Sequence, residues 1–387
     1  MRPLHRVFGL LAATGLLLAA GCSSSQSTPA ASTASAASSS TASTAASAPA
    51  SAGGSSAAAT PAGSSAAASA AGSAAAGSAA AGGTVTLNLV AYSTPQPAYA
   101  KLIAAFQKTP AGAHVKFTQS YGASGDQANA VVAGQAADVV EFSLLTDMTK
   151  LVKKNLVAAD WNSNPQHGFV TNSVVSFVVR KGNPKHIENW SDLIKPGVKV
   201  LTPNPFSSGS ARWNILAAYG AQIKAGDTDT QATDYLKALF KNVIVQDASG
   251  SKALADFVGG AGDVLLSYEN EAIYAQAKGQ AVDYVIPSDT LLIENPVAVT
   301  TTTKYPVQAK AFVDFLYSQA GQQIFADIGY RPTLAGVTST VNKFPVPTGL
   351  FTISSLGGWP AATTKFFDPT NGVITAIEKS NGVATTK

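Results

Sequence analysis

KVLTPNPFSSGSARWNILAAYG, Lys199 to Gly220, is the stretch whose reading decides the fold. KVLTPNP reads as a short strand, and an apolar, helix-like run follows from Ala211. Ser207, Ser208, Gly209 and Ser210 stand at the junction, with Arg212 the one charge beside them. A strand that passes through small residues into a helix is the repeating unit of an α/β sheet. Loops at the C-terminal ends of such strands lead into helix N-termini, whose free N–H groups and positive dipole end attract anions.

Outward from this stretch the same alternation continues in both directions. VTLNLVAY, HVKFTQSY, ADVVEFSL and SVVSFVVRKG read as strands, with PAYAKLIAAFQK, DQANAVVAGQ and TDMTKLVKKN as the helices between them. Downstream, VIVQD, GDVLLSY, VDYVIP and ENPVAVT read as strands, and TQATDYLKALFKN, SKALADFVGG and ENEAIYAQAKG as helices. PVQAKAFVDFLYSQAGQQIFADIG reads as one long amphipathic helix. Short apolar strands between helices predict an α/β fold with mostly parallel sheets flanked by helices. The segment from Thr84 to Lys387 exceeds the usual size of a single core, so two lobes are expected. The first lobe is placed at residues 84–175, the second at 176–295, and a return to the first with a C-terminal segment at 296–387.

The chain before residue 84 is of a different kind. Residues 1–21 read as a secretory signal, with Arg2 and Arg6 ahead of an apolar run from Val7 to Ala20 that is too short to span a bilayer. LAAGC follows, and the chain's single Cys, Cys22, falls where a lipoprotein signal would place its lipidated cysteine. Ser23 to Gly83 is almost wholly Ser, Ala, Thr, Gly and Pro without one charge, the composition of a tether spanning residues 22–83. The expected location is the outer face of the cytoplasmic membrane, facing the periplasmic or cell-wall space and held there by the lipid.

Removing the signal leaves 24 basic and 22 acidic residues, too even a balance to argue for nucleic acid or an anionic membrane surface as partner. One Cys excludes an intramolecular disulfide, so stability must come from a core. Enzymatic readings are weak. His114, His167 and His186 fall in no metal-ligand pattern, no nucleophile elbow surrounds Ser124 or Ser208, and a Walker-type lysine is absent. No cofactor or metal is expected, and a secreted hydrolase remains only a distant alternative.

Three loops carry Ser-Gly at a strand-to-helix junction: SYGASGDQ (Ser120 to Gln127), FSSGSARW, and DASGSKA (Asp247 to Ala253). Gly allows close backbone approach and Ser donates a hydroxyl. Any one of them is explained by ordinary capping. Three in one α/β chain suggest a shared site, although spacing alone names no ligand.

Several segments together resemble one family. VVRKGNPKHIENWSDLIKPGVKVLTPNPFSSGSARWNILAAYG, Val178 to Gly220, is similar to the sulfate/thiosulfate-binding proteins of ABC importers, as are QSYGASGDQANAVVAGQAADVV, GDVLLSYENEAI, LYSQAGQQI and YRP. The resemblance runs from Asn88 to Trp359. It implies a two-lobed clamp of the periplasmic-binding type, likewise built as an α/β fold, that closes on sulfate in an interlobe cleft and delivers it to a membrane permease with its ATPase, acting as a monomer. Carried over by position, the site residues are Ser124, Ser208, Gly209, Ser210, Gly250 and Tyr268, with Ser93, Arg212, Asp126 and Ser251 in support. The chain departs from the pattern at Ser210 (Gly in the family), Tyr268 (Trp), Asp126 (a basic residue), Ser251 (Arg) and Ser93 (Asp). The resemblance puts Ser124 on one lobe and Ser208, Gly250 and Tyr268 mainly on the other. It puts hinges near Ser173 to Val178 and Glu294 to Val297, with Arg212 lending charge without touching the ligand.

Proton count separates the oxyanions. Sulfate at neutral pH has no proton and accepts only, so N–H and O–H donors satisfy it. Phosphate keeps a proton and calls for an acceptor, usually a carboxylate, which would reject sulfate. The three loops supply donors, so sulfate is the expected ligand. Asp126 is the residue that would shift the balance, and thiosulfate, phosphate or molybdate on the same scaffold is the alternative.

Overall fold

The computed structural model describes residues 83–383 and 385. The expected signal, Cys22 and most of the tether lie outside the described residues.

In chain order, β1 (Val85–Tyr92), α1 (Gln96–Phe106), β2 (Val115–Gly122), α2 (Ser124–Val132), β3 (Val139–Glu141) and α3 (Leu145–Lys153) build the first lobe. β1 pairs in parallel with β2 on one side and β3 on the other. Alternation along β1 sends Leu87, Leu89 and Ala91 to a core with Tyr99, Leu102, Phe312 and Phe325, and Val90 to a second core with Ala128, Val140 and Met148. A parallel sheet buried on both faces needs apolar residues on both, which is why these strands read as near-continuous apolar runs.

β4 (Phe169–Arg180) then crosses to the second lobe. There β5 (Val200–Pro203), α4 (Gly209–Lys224), α5 (Asp229–Asn242), β6 (Val243–Asp247), α6 (Gly250–Val258), β7 (Val264–Tyr268), α7 (Glu269–Ala277) and β8 (Val282–Val285) repeat the scheme. β5 lies parallel to β6 and β7. Val175, Phe177 and Val179 of β4 pack with Trp213, Leu216 and Leu236, while Val178 faces Phe257 and Leu265 on the opposite side.

β9 (Leu292–Val299) returns, antiparallel to β4 over Leu292–Pro296 and to β3 over Val297–Val299. β4 and β9 thus carry the chain between lobes, and the stretches Ser173 to Val178 and Glu294 to Val297 lie on them. The sheet runs β2-β1-β3-β9-β4-β7-β5-β6, parallel in its two outer groups and antiparallel through the crossing strands.

Beyond β9 the long helix read from sequence is two helices, α8 (Pro306–Tyr317) and α9 (Gln319–Ile328). Ser318 takes an extended backbone (φ −67°, ψ 161°) and its hydroxyl accepts from Gly321 N–H, so it caps α9 where the apolar period runs on unbroken. β10 (Arg331–Pro332) joins β4, and α10 (Gly358–Phe367) and α11 (Val373–Ser380) close the chain. The return segment divides: α8 and α9 pack on the first lobe, whereas Trp359, Phe366 and Ile374 pack with Trp213 and Tyr219 in the core of the second. Among the described residues no helix is long and apolar enough to cross a membrane.

Glu141 on β3 is fully enclosed in the first lobe, and its carboxyl group accepts from Tyr99 OH. Burial pushes its pKa from 4.5 up to about 8, against the smaller lowering by Tyr99. Below pH 4.5 the folded and unfolded chains both hold the proton. Between 4.5 and about 8 the unfolded chain ionises while the folded one does not, so stability falls as pH rises. Glu141→Gln keeps an acceptor for Tyr99 and does not titrate. The melting temperature of Glu141→Gln relative to wild type is expected to climb across that window. A constant difference between the two proteins would mean that Glu141 is not the proton holder.

Candidate functional site

The C-terminal ends of β1, β2, β3, β5, β6 and β7 all lead into helices, and these junctions meet between the lobes. The three Ser-Gly loops start α2, α4 and α6. They do not use their serines alike. Ser249 caps α6 in the ordinary way, accepting from Lys252 N–H. Ser208 occupies the cap position of α4 but makes no capping bond; its hydroxyl pairs with Ser210 Oγ at 2.8 Å. The first turn of α4 is therefore buried, with Ser208 3% and Ser210 4% exposed, and no side chain caps its N–H groups.

Ser124 is equally buried and its hydroxyl is committed. It donates to Asp147 Oδ2 at 2.7 Å and accepts from Ser143 N–H at 2.9 Å. What Ser124 can offer a ligand is its backbone N–H at the start of α2. Burial pushes the Asp147 carboxyl up, while the Ser124 bond and the charges of Lys150 and Arg212 pull it down. Arg212 stands behind the loop, donating through Nε to Pro205 carbonyl at 2.9 Å with its guanidinium over the Phe367 ring. Asp126 sits half-buried in the first turn of α2, and its charge adds slightly to the rise at Asp147.

The lobes touch through small residues. Gly125 N–H donates to Ser207 carbonyl at 3.2 Å, and Ser251 N–H reaches Ser93 Oγ at 3.4 Å. A Cβ on Gly209 would lie 2.5 Å from Ser143 Oγ and 2.8 Å from Leu144 Cγ. A Cβ on Gly250 would lie 2.9 Å from Ser210 Oγ, 3.1 Å from Glu271 Oε2 and 3.1 Å from Thr94 Cγ2. Tyr268, wholly buried at the end of β7, pairs its hydroxyl with Ser143 Oγ at 2.7 Å. Ser124, Ser208, Gly209, Ser210, Gly250 and Tyr268 thus form one buried cluster, with Ser93 and Ser251 at its edge. Two cavities open beside it. One of about 840 Å³ is lined by Ser93, Thr94, Ser251 and Glu271, and one of about 340 Å³ by Ser207, Ser208, Gly209 and Arg212. The larger is mostly apolar and far exceeds a tetrahedral oxyanion; the donors converge at the buried cluster between the two.

Two members escaped the sequence reading. Ser143 lies in the loop between β3 and α3, another strand-to-helix junction that the rule for such loops covers, but no Gly beside it marks the place. Glu271 lies in α7, where nothing in ENEA distinguishes a buried acid from an exposed one. It is enclosed, accepting from Ser267 Oγ at 2.6 Å and more weakly from Ser251 Oγ, and burial pushes its pKa up to about 7.

Residues 87–331 match the family model of bacterial extracellular solute-binding proteins. The sulfate-binding protein of Synechococcus elongatus is 42% identical over 296 residues, covering 74% of this chain and 85% of that protein. The thiosulfate-binding protein of Escherichia coli is 37% identical, covering 72% of this chain and 86% of that one. Among solved structures, the sulfate-binding protein SubI from Mycobacterium tuberculosis H37Rv superposes with a TM-score of 0.71 at 43% identity, covering 73% of this chain and all of that one.

The close approach at Gly209 is testable. Gly209→Ala places a methyl against Ser143 of the opposite lobe, so it should oppose closure without disturbing either core. In an oxyanion thermal-shift panel, the variant is expected to melt within a few degrees of wild type without ligand and to lose most of the ligand-induced gain. A full gain would show that the lobes need not come this close.

Proposed function

The chain belongs to the bacterial extracellular solute-binding proteins and, among them, to the sulfate-binding proteins, and from that premise we propose that it captures sulfate, or its analogue thiosulfate, and delivers it to an ABC-type importer. The observation that carries the reading is the start of α4. It is buried, uncapped by side chains, and joined by serine hydroxyls and the phenol of Tyr268.

A proton-free dianion can only accept. The N–H groups at the starts of α2 and α4, the N–H at Gly250 and the hydroxyl pairs Ser208–Ser210 and Ser143–Tyr268 are donors of the required kind. No counter-charged side chain is needed in contact with the ligand. Arg212 supports the loop from behind, and the α4 dipole adds its positive end. Closure about β4 and β9 buries the anion and strengthens each bond by excluding water. This is a binding cycle without chemistry on the ligand. The protein would work as a monomer, held by a lipid on Cys22 at the outer face of the membrane, where a permease with its ATPase takes the anion.

One observation favours a second reading. Glu271 stands against Gly250 with its pKa near neutrality, and a protonated oxyanion such as phosphate would welcome an acceptor there. Its oxygens already take hydroxyls from Ser267 and Ser251, which supports sulfate as the first choice.

Titration calorimetry against sulfate, thiosulfate, phosphate and molybdate separates the readings. Sulfate is expected to bind, and Ser208→Ala to weaken it by about 1.5–3 kcal/mol, the contribution of a hydrogen bond to a charged partner. Binding of phosphate in preference to sulfate would overturn the reading. For the anchor, Cys22→Ser is expected to move the protein from the membrane fraction to the soluble fraction of producing cells; unchanged membrane retention would remove the lipid.

A further inference from the structure

Ser143 makes more cross-cleft bonds than any residue the sequence singled out. Its N–H donates to Ser124 Oγ at 2.9 Å within the first lobe. Its carbonyl accepts Trp213 Nε1–H of the second lobe at 2.9 Å and Asn295 Nδ2–H of the crossing strand β9 at 3.2 Å. Its hydroxyl meets Tyr268 OH of the second lobe at 2.7 Å. The residue is 1% exposed, and its Oγ lies directly against Gly209 at the start of α4.

The hydroxyl pair has a definite proton count. Two hydroxyls bring two protons, and the bond between them uses one. Burial keeps the phenol protonated far beyond neutral pH. One proton therefore remains to be donated, whichever of the two oxygens carries it, and the pair adjoins the uncapped turn of α4.

We propose that Ser143 is a ligand-positioning and specificity-determining residue of the cleft. It locks Tyr268 across the two lobes so that the pair offers a single proton to the oxyanion held at the start of α4. The proposal rests on the oxyanion-binding reading above. A phenol can donate or accept and needs a partner to settle which, and Ser143 is placed to be that partner.

The test is a double-mutant cycle of Ser143→Ala and Tyr268→Phe, read by sulfate calorimetry and by stopped-flow dissociation. Each single variant is expected to bind about tenfold more weakly, chiefly through faster release. The double variant should be no weaker than the weaker single, because both remove one linkage. The preference for sulfate over phosphate should narrow in all three, which a purely structural role would not produce. Tyr268→Phe leaves every backbone bond of Ser143 in place and carries the test alone if Ser143→Ala does not fold. Additive losses, or release from Tyr268→Phe at the wild-type rate, would overturn the proposal while leaving sulfate binding intact. If wild type does not bind sulfate, the functional reading fails instead, and the same cycle on the oxyanion that does bind decides the role of Ser143.

Discussion

A helix that starts inside a protein must find acceptors for its first N–H groups, and the start of α4 is where the cleft of this protein faces that requirement. The residue at the cap position is a serine, the side chain best suited to the task, yet its hydroxyl turns to Ser210 instead. The neighbouring α6 shows the ordinary solution, with Ser249 on Lys252 N–H. In the oxyanion-binding reading proposed above, the acceptor for α4 comes from outside the chain. Arg212 stands behind that turn, bound to Pro205 carbonyl, so its positive charge is felt through the loop.

Closure depends on how near two backbones can come. Gly209 faces Ser143 and Leu144 at distances that leave no room for a methyl, and Gly250 is tight against Ser210, Thr94 and Glu271. Such approach lets N–H groups from both lobes reach a small ligand at once. Tyr92 and Leu144 of the first lobe share an apolar core with Trp213 and Tyr268 beside this contact. Trp213 Nε1–H and Tyr268 OH, both directed at Ser143, add hydrogen bonds across the cleft.

The strand-to-helix rhythm and the Ser-Gly loops at helix starts were legible because they follow from local periodicity and turn chemistry. The break at Ser318 was not, since α8 and α9 keep one apolar face and only the backbone of Ser318 departs from the helix. Nor was the destination of α10, which depends on Trp359 finding Trp213 some 150 residues upstream. Within the site, the serines beside glycines were found and Ser143 was not. Its importance comes from what four other elements bring to it, and no local pattern records that. Ser124 teaches the converse. Its motif was plain in the sequence, yet its hydroxyl is spoken for by Asp147, so only its backbone N–H is left for the cleft.

Selectivity in such a site is a matter of counting protons. Each hydroxyl pair, Ser208–Ser210 and Ser143–Tyr268, retains one proton after its internal bond. The pair can still accept through its remaining lone pairs, but it always keeps one proton to give to an acceptor-only ligand. The acids nearby work in the same direction: Asp147 occupies the Ser124 hydroxyl, and Glu271 gathers Ser267 and Ser251. A carboxylate partly occupied by protein hydroxyls is a poorer acceptor for a ligand proton than a bare one. A fully deprotonated oxyanion would meet mainly donors, while a protonated one would have to share an acceptor that protein hydroxyls already occupy.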